Sequence, residues 1–267
     1  MISDLFPSKR IQKLIQILRD FDIQDVMNIE SAYDEQHKYL QKLFDRIKDI
    51  GIFLTLIILN ALSSYMLNCT GEEYWREFSE YFSTRASLLQ NTTNEALVTL
   101  IINEFKNFLA NSRCNKRFLK VKISRLEKVK TVVNRILENH EFFIKNQSEL
   151  LSMLSKQLSP NKYSKTVTFA VKMFNYGLRI CLGKEILMPW DAPIPVDKRI
   201  EFISRKLGVQ DDIMEFWNRI SRIVCIPPLH IDSLLWVGYR FAKRKKLTSN
   251  NKFNALIRFL IKIIEDP

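Results

Sequence analysis

Apolar residues recur along this chain mainly at intervals of three and four, and alternating runs joined by Asn-Gly or Asp-Gly turns are absent. The pattern predicts an all-α protein with no sheet. Ile11, Leu14, Ile15 and Leu18 make the first stripe, behind Pro7 and a serine, Ser8, placed to cap it. After a break at 20–25, a second helical region at 31–51 opens with Asp34, Glu35, Gln36 and His37 ahead of Tyr39, Leu40 and Leu43, which reads as a solvated first turn. The run 52–67 is the most apolar; it contains Asn60, Ser63 and Ser64 and is shorter than the roughly 20 residues of a bilayer span, so it is expected to be a core helix. Tyr74, Trp75, Phe78, Tyr81 and Phe82 then fall at helical spacing, as a packed aromatic stripe does. Further amphipathic helices are predicted at 94–109, 132–144, 147–158, 199–206, 211–223, 230–239 and 253–264.

Composition adds a partner class to this picture. The 267 residues are 46% hydrophobic, enough for one large domain or two lobes. Forty-one Lys and Arg against 29 Asp and Glu give a formal charge of +12, which favours an anionic partner such as nucleic acid. Between 113 and 130, Arg113, Lys116, Arg117, Lys120, Lys122, Arg125, Lys128 and Lys130 face a single acid, Glu127. Such a surface attracts a phosphate backbone, and a solvated helix face accounts for the same residues. A second basic group, Arg240 and 243–246, follows the short helix that carries Asp232 and Trp236 four positions apart on one face. The four cysteines, Cys69, Cys114, Cys181 and Cys225, lie far apart in a chain without a recognisable signal peptide, so they are read as unpaired, buried small hydrophobes and not as a disulfide framework or a metal site. Cytoplasmic placement beside the nucleoid follows as the expectation, with no membrane and no metal or other cofactor.

The stretch 159–197 carries the candidate chemistry. Lys165 opens a strongly apolar helix, and after a proline-rich loop at 186–195 Asp197 opens the next. A lysine is a nucleophile only as the free amine, which at its ordinary pKa is about 1 molecule in 2,500 at pH 7. Thr166, Val167, Phe169, Ala170 and Val171 surround the helix start with apolar groups, and a partly buried amine there would have its charged form disfavoured by desolvation and by the helix dipole. A carboxylate alongside can take the proton locally and stabilise a developing cation, so the pair suits Schiff-base chemistry. A surface lysine and an aspartate N-cap account for the same two residues.

The segments KTVTFAVKM and PIPVDKR resemble the helix-hairpin-helix DNA glycosylases, and PWDAPIPVD together with the long spacing from Lys165 to Asp197 resembles their archaeal 8-oxoguanine glycosylase/AP lyase branch. The usual Gly-Val-Gly before the lysine is replaced by Asn161, Lys162, Tyr163 and Ser164, and the cysteine cluster that holds iron and sulfur in some relatives is missing. The resemblance implies two helical lobes with a central cleft, one formed by 51–184 with the hairpin and the other by 1–50 with 185–267, acting as a single catalytic unit. It implies Lys165 as the Schiff-base nucleophile, Asp197 as its partner, Trp75 and Phe169 as the aromatic sandwich around a flipped base, and Gln36, Asp232 and Trp236 at the base edge, with Lys172 as a further pocket contact. The implied substrate is DNA containing 8-oxoguanine, bound by a monomer. A non-catalytic helical module binding DNA or RNA, and a glycosylase for another damaged base, stand as alternatives.

Overall fold

The computed structural model describes residues 6, 8–92, 94–158 and 164–266, with the backbone alone at 94 and 95. Pro7 and residues 159–163, where Asn161, Lys162 and Tyr163 stand in place of the glycine-rich turn, lie outside the described residues. Among the described residues the chain forms fifteen α-helices and no strand. In order they are α1 (Lys9–Arg19), α2 (Ile23–Tyr33), α3 (Glu35–Ile47), α4 (Ile50–Ser63), α5 (Gly71–Ser83), α6 (Ala86–Gln90), α7 (Asn94–Asn111), α8 (Leu119–Lys128), α9 (Lys130–Lys145), α10 (Gln147–Leu158), α11 (Lys165–Leu182), α12 (Lys198–Lys206), α13 (Ile213–Val224), α14 (Pro228–Lys243) and α15 (Asn251–Glu265). They group into two compact units, Glu35–Ala192 and Met1–Asp34 with Pro193–Pro267. Residues 35–50 and 185–192 therefore group with the continuous unit.

In the continuous unit α4 is apolar on all sides and is buried from Gly51 to Ser63, as a helix without a polar face must be. Asp49 caps it, its carboxylate accepting from the Ile52 N–H at 2.8 Å. The principal neighbour of α4 is α11, and the two approach closely at Gly177. A Cβ on Gly177 would lie 2.6 Å from Ile57 Cδ1 and 2.8 Å from Leu54 Cδ2, so glycine lets the helices meet at this distance without displacing those two side-chain ends. The aromatic stripe of α5 packs as its spacing predicts: Tyr74, Trp75, Phe78 and Phe82 are fully buried against one another and against Phe105 and Phe108 of α7.

The second unit joins α1 and α2 to α12–α15 through one apolar core that includes Leu14, Leu18, Val26, Ile200, Trp217, Leu234 and Leu256. Inside it, His230 Nδ1 on α14 meets Glu30 Oε1 on α2 at 2.8 Å, with both side chains fully buried. Removing one partner would strand the other's polar atoms in the core, so this contact ties the N-terminal segment to the C-terminal helices. No single helix among the described residues is long and apolar enough to cross a membrane.

Three sequence expectations need correction. Cys69 and Cys114 form a disulfide across 45 residues of sequence, their Cα atoms 5.1 Å apart, and of the remaining two Cys225 is exposed. The bond joins the loop after α4 to the loop after α7, a proximity that linear spacing cannot report. Ser8 stands at the N-cap of α1 without a capping side-chain hydrogen bond. The region 31–51 is divided at Asp34, and its polar beginning is not wholly solvated: Asp34 and Gln36 are both buried, which local sequence does not signal.

Replacing both Cys69 and Cys114 by serine removes a constraint on a long loop of the unfolded chain and is expected to lower the unfolding free energy by about 2–4 kcal/mol in a urea titration. Gly177→Ala gains about 1 kcal/mol of helix propensity against about 1–3 kcal/mol of overpacking, for a small net loss, whereas Gly177→Val is expected to lower thermal stability severely.

Candidate active site

Helix α11 starts at Lys165 because Ser164 is extended, with φ −59° and ψ 136°, while its carbonyl already accepts from the N–H groups of Val167 at 2.9 Å and Thr168 at 3.1 Å. The Ser164 hydroxyl makes no capping bond and is buried without a hydrogen-bond partner. Lys165 is exposed, not partly buried as the apolar sequence around it suggests. The reason is rotational: Val167, Ala170 and Val171 turn into the core, which leaves the first side chain of the helix facing outward. The next residue is held from the side, since Arg125 Nη2 on α8 donates to Thr166 Oγ1 at 2.7 Å.

Phe169 and Lys172 follow Lys165 at helical spacing on α11. Lys172 is buried, and its ammonium lies 5.9 Å from the centre of the Tyr176 ring. Phe169 is half-buried and meets Trp75 edge to face, with ring centres 6.2 Å apart and planes at 78°. Two rings enclose a planar base when they lie near parallel, so this pair forms such a slot only after one ring turns. Trp75 is fully buried, and its indole N–H has no hydrogen-bond partner. Gln36, in the first turn of α3, is 3% exposed. Lys165, Phe169, Lys172, Trp75 and Gln36 thus all belong to the continuous unit.

The other candidates belong to the second unit, where they form a cluster around a residue the sequence reading did not single out. Asp197 is the N-cap of α12: its Oδ1 accepts from the N–H groups of Arg199 at 3.0 Å and Ile200 at 2.9 Å. Its Oδ2 accepts from Arg199 Nη2 at 2.8 Å. The same guanidinium stands 3.6 Å from Asp232 Oδ1, an ion pair beyond hydrogen-bond length, and lies over the Trp236 ring at 4.1 Å from its centre. Arg199 therefore joins Asp197, Asp232 and Trp236, the last two brought to one face of α14 by their spacing. The only trace of this in the sequence is an arginine two positions after a helix-capping aspartate, a pattern too common to stand out. The Trp236 indole N–H is buried without a hydrogen-bond partner.

The basic run 113–130 separates into different environments. Lys122 is buried against Asn115 and the Tyr65 ring, and burial pushes its ammonium down to about 8. Lys130 pairs with Glu127, which also receives Lys106. Arg113, Lys116, Arg117, Lys120 and Lys128 stay exposed. Among the described residues no group of three or more His, Cys, Asp or Glu side chains is arranged to hold a metal ion.

The family model of the AGOG N-glycosylase/DNA lyases matches residues 15–264. The chain belongs to this family. The AGOG match spans both units and every helix that carries a candidate residue. Among curated relatives, the N-glycosylase/DNA lyase of Methanococcus maripaludis is 36% identical over 96% of this chain and 98% of its own length. That of Methanopyrus kandleri is 36% identical over 83% of this chain and 86% of its own. Among solved structures, Pa-AGOG, the 8-oxoguanine DNA glycosylase of Pyrobaculum aerophilum complexed with 8-oxoguanosine, superposes with a TM-score of 0.74 at 25% identity, covering 94% of this chain and 95% of its own. An AGOG-family chain is an enzyme, a DNA N-glycosylase with lyase activity, which sets aside the non-catalytic module.

Arg199→Met removes a charged hydrogen bond and a cation–π contact and is expected to lower the unfolding free energy by about 2–4 kcal/mol in a urea titration. Arg199→Lys keeps the charge without the guanidinium over Trp236 and is expected to lose about half as much.

Proposed function

We propose that this chain flips out and excises 8-oxoguanine from DNA and then nicks the strand, acting as a monomer with Lys165 as nucleophile and Asp197 as its carboxylate partner. The observation that carries the reading is the likeness, over nearly the whole chain, to a solved glycosylase in complex with 8-oxoguanosine. The exposed position of Lys165 at a helix start and the fixed carboxylate of Asp197 support it.

The glycosidic carbon is inaccessible inside the base stack, so the damaged nucleotide must first leave the duplex. The neutral Lys165 amine forms a bond to C1′ as the C1′–N9 bond breaks, and the electron pair leaves with the base, which takes up a proton. Asp197 stabilises the cationic character at C1′ and accepts the proton lost by the amine. Opening of the sugar ring at O4′ leaves an imine between Lys165 Nζ and C1′. Loss of a C2′ proton then breaks the C3′–O3′ bond by β-elimination.

Selectivity follows from what oxidation adds to guanine, an N7–H donor and an O8 acceptor. A reader of that edge needs an acceptor and a donor, and Gln36 and the Trp236 indole N–H have those types. The Trp236 donor is buried without a partner, as a donor reserved for a ligand would be. Asp232 is suited to accept from the N1–H and N2–H groups. Trp75 and Phe169 supply the two aromatic faces, and Lys172 a cationic contact.

Borohydride is expected to trap a covalent adduct between the parent protein and a duplex carrying one 8-oxoguanine, while Lys165→Gln yields neither adduct nor free base. Undiminished base release by Lys165→Gln would remove Lys165 as nucleophile. Release of a different free base from a panel of single-lesion duplexes, with 8-oxoguanine left intact, would replace the substrate. Asp197→Asn keeps the helix cap and gives up the ion pair with Arg199, so base release is expected to slow roughly 10²–10⁴-fold while the unfolding free energy falls by about 1 kcal/mol or less.

A further inference from the structure

At the start of α8, Phe118 occupies a left-handed backbone conformation, φ 57° and ψ 32°, and its side chain is 57% exposed. Both features run against stability. A bulky residue with a Cβ is disfavoured in this region, where glycine or asparagine sits without strain, and the exposed ring gains nothing from the core. Val121, one turn further along, is 53% exposed. Met66, exposed and itself at φ 49°, lies in the loop whose Tyr65 ring is covered by Lys122 and Arg125 of α8. Around Phe118 in sequence are Arg113, Lys116, Arg117 and Lys120, all exposed, and Lys116, Arg117 and Lys120 form no ion pair with described residues. Exposed aromatic and aliphatic groups set among unpaired cations match a polyanion that also offers flat apolar faces, which is the chemistry of a nucleic-acid strand.

The placement of α8 says which part of that strand is met. Its Arg125 is bonded to Thr166, the residue after Lys165. Phe118 precedes Arg125 by two helical turns, about 10 Å along the axis at 1.5 Å per residue. At 3.4 Å per nucleotide on one strand, that length corresponds to about three nucleotides. The anchor of the segment is independent of any ligand: the Cys69–Cys114 disulfide and the bond from Asn115 Nδ2 to the Ser63 carbonyl, 3.1 Å, fix the chain just ahead of Phe118.

We infer that the start of α8 is a contact surface for the DNA flanking the lesion, Phe118 packing on a base or sugar about three nucleotides from the one attacked and Lys116, Arg117 and Lys120 meeting phosphates. The inference rests on the DNA-repair reading of the Lys165 site and adds to it a surface that takes no part in the chemistry.

Phe118→Gly separates the two roles of the residue, because it relieves the backbone and removes the ring. The variant is expected to melt at a higher temperature than the parent yet bind an undamaged duplex at least about fivefold more weakly, the lower end for loss of one stacking contact. Lys120→Gln is expected to leave the melting temperature unchanged and to reduce the slope of log K against log salt by about 1. A 2-aminopurine placed three nucleotides from an 8-oxoguanine is expected to change fluorescence with the parent and not with Phe118→Gly. Parental affinity in Phe118→Gly, or a fall in its melting temperature together with its affinity, overturns the inference. Because affinity is read on undamaged DNA, either result is separate from the substrate reading, which stands or falls on base release by the parent protein.

Discussion

The close approach of α11 to α4 at Gly177 is the constraint on which the continuous unit depends. Helix α4 has no polar face and must be covered on all sides, and α11 is the helix that covers it most closely. With no side chain at 177, the later part of α11 sinks into the core, where every residue from Ala170 to Arg179 is buried. Burial on so many sides leaves the helix one rotation about its axis. That rotation sends Val167 inward and Lys165 outward, while Phe169 stays at the boundary against Trp75. Lys165 is thereby turned to solvent by packing several turns away from it.

The second unit solves a related problem with charge. An N-cap aspartate satisfies orphan N–H groups at a helix start, and Asp197 does so with one oxygen. Its other oxygen is held by Arg199, whose guanidinium also faces Asp232 and covers Trp236. A buried carboxylate such as Asp232, 2% exposed, is costly without a cation nearby, and Arg199 serves both acids at once. The Trp236 ring and two carboxylates restrain the guanidinium, and its bond to Oδ2 together with the N–H bonds to Oδ1 fixes the Asp197 carboxylate. Structural capping and the proposed chemical role use the same geometry, so the capping reading and the catalytic reading of Asp197 are compatible.

Local information made much of this legible in the sequence. The helical class, the core status of α4, the packed stripe of α5 and the capping position of Asp197 all follow from residues within one or two turns of each other. Features that depend on distant segments were silent. The disulfide needs two loops 45 residues apart to meet. Asp34 and Gln36 are buried although polar residues at a helix start ordinarily signal solvent. Arg199 gains its meaning only when α14 brings Asp232 and Trp236 beside it. For Lys165 the local signal pointed the wrong way on burial, because apolar neighbours in sequence were turned to the opposite side of the helix.

Charge composition shows the same limit from another side. A run of eight cations between 113 and 130 looks uniform, and a formal charge of +12 suggests that all of them face an anion. In the fold they are divided by depth. Lys122 is buried against Tyr65 and Asn115, Arg125 is half-buried and braces Thr166, and Lys130 is neutralised by Glu127. Those side chains have partners that hold the unit together, and each would have to give one up to bind a phosphate. Lys116, Arg117 and Lys120 have no such competing partner among the described residues. Of the eight cations that look alike in sequence, the exposed ones therefore stand at the two ends of the run, Arg113, Lys116, Arg117 and Lys120 around Phe118 and Lys128 at the end of α8, while the cations between them brace the fold.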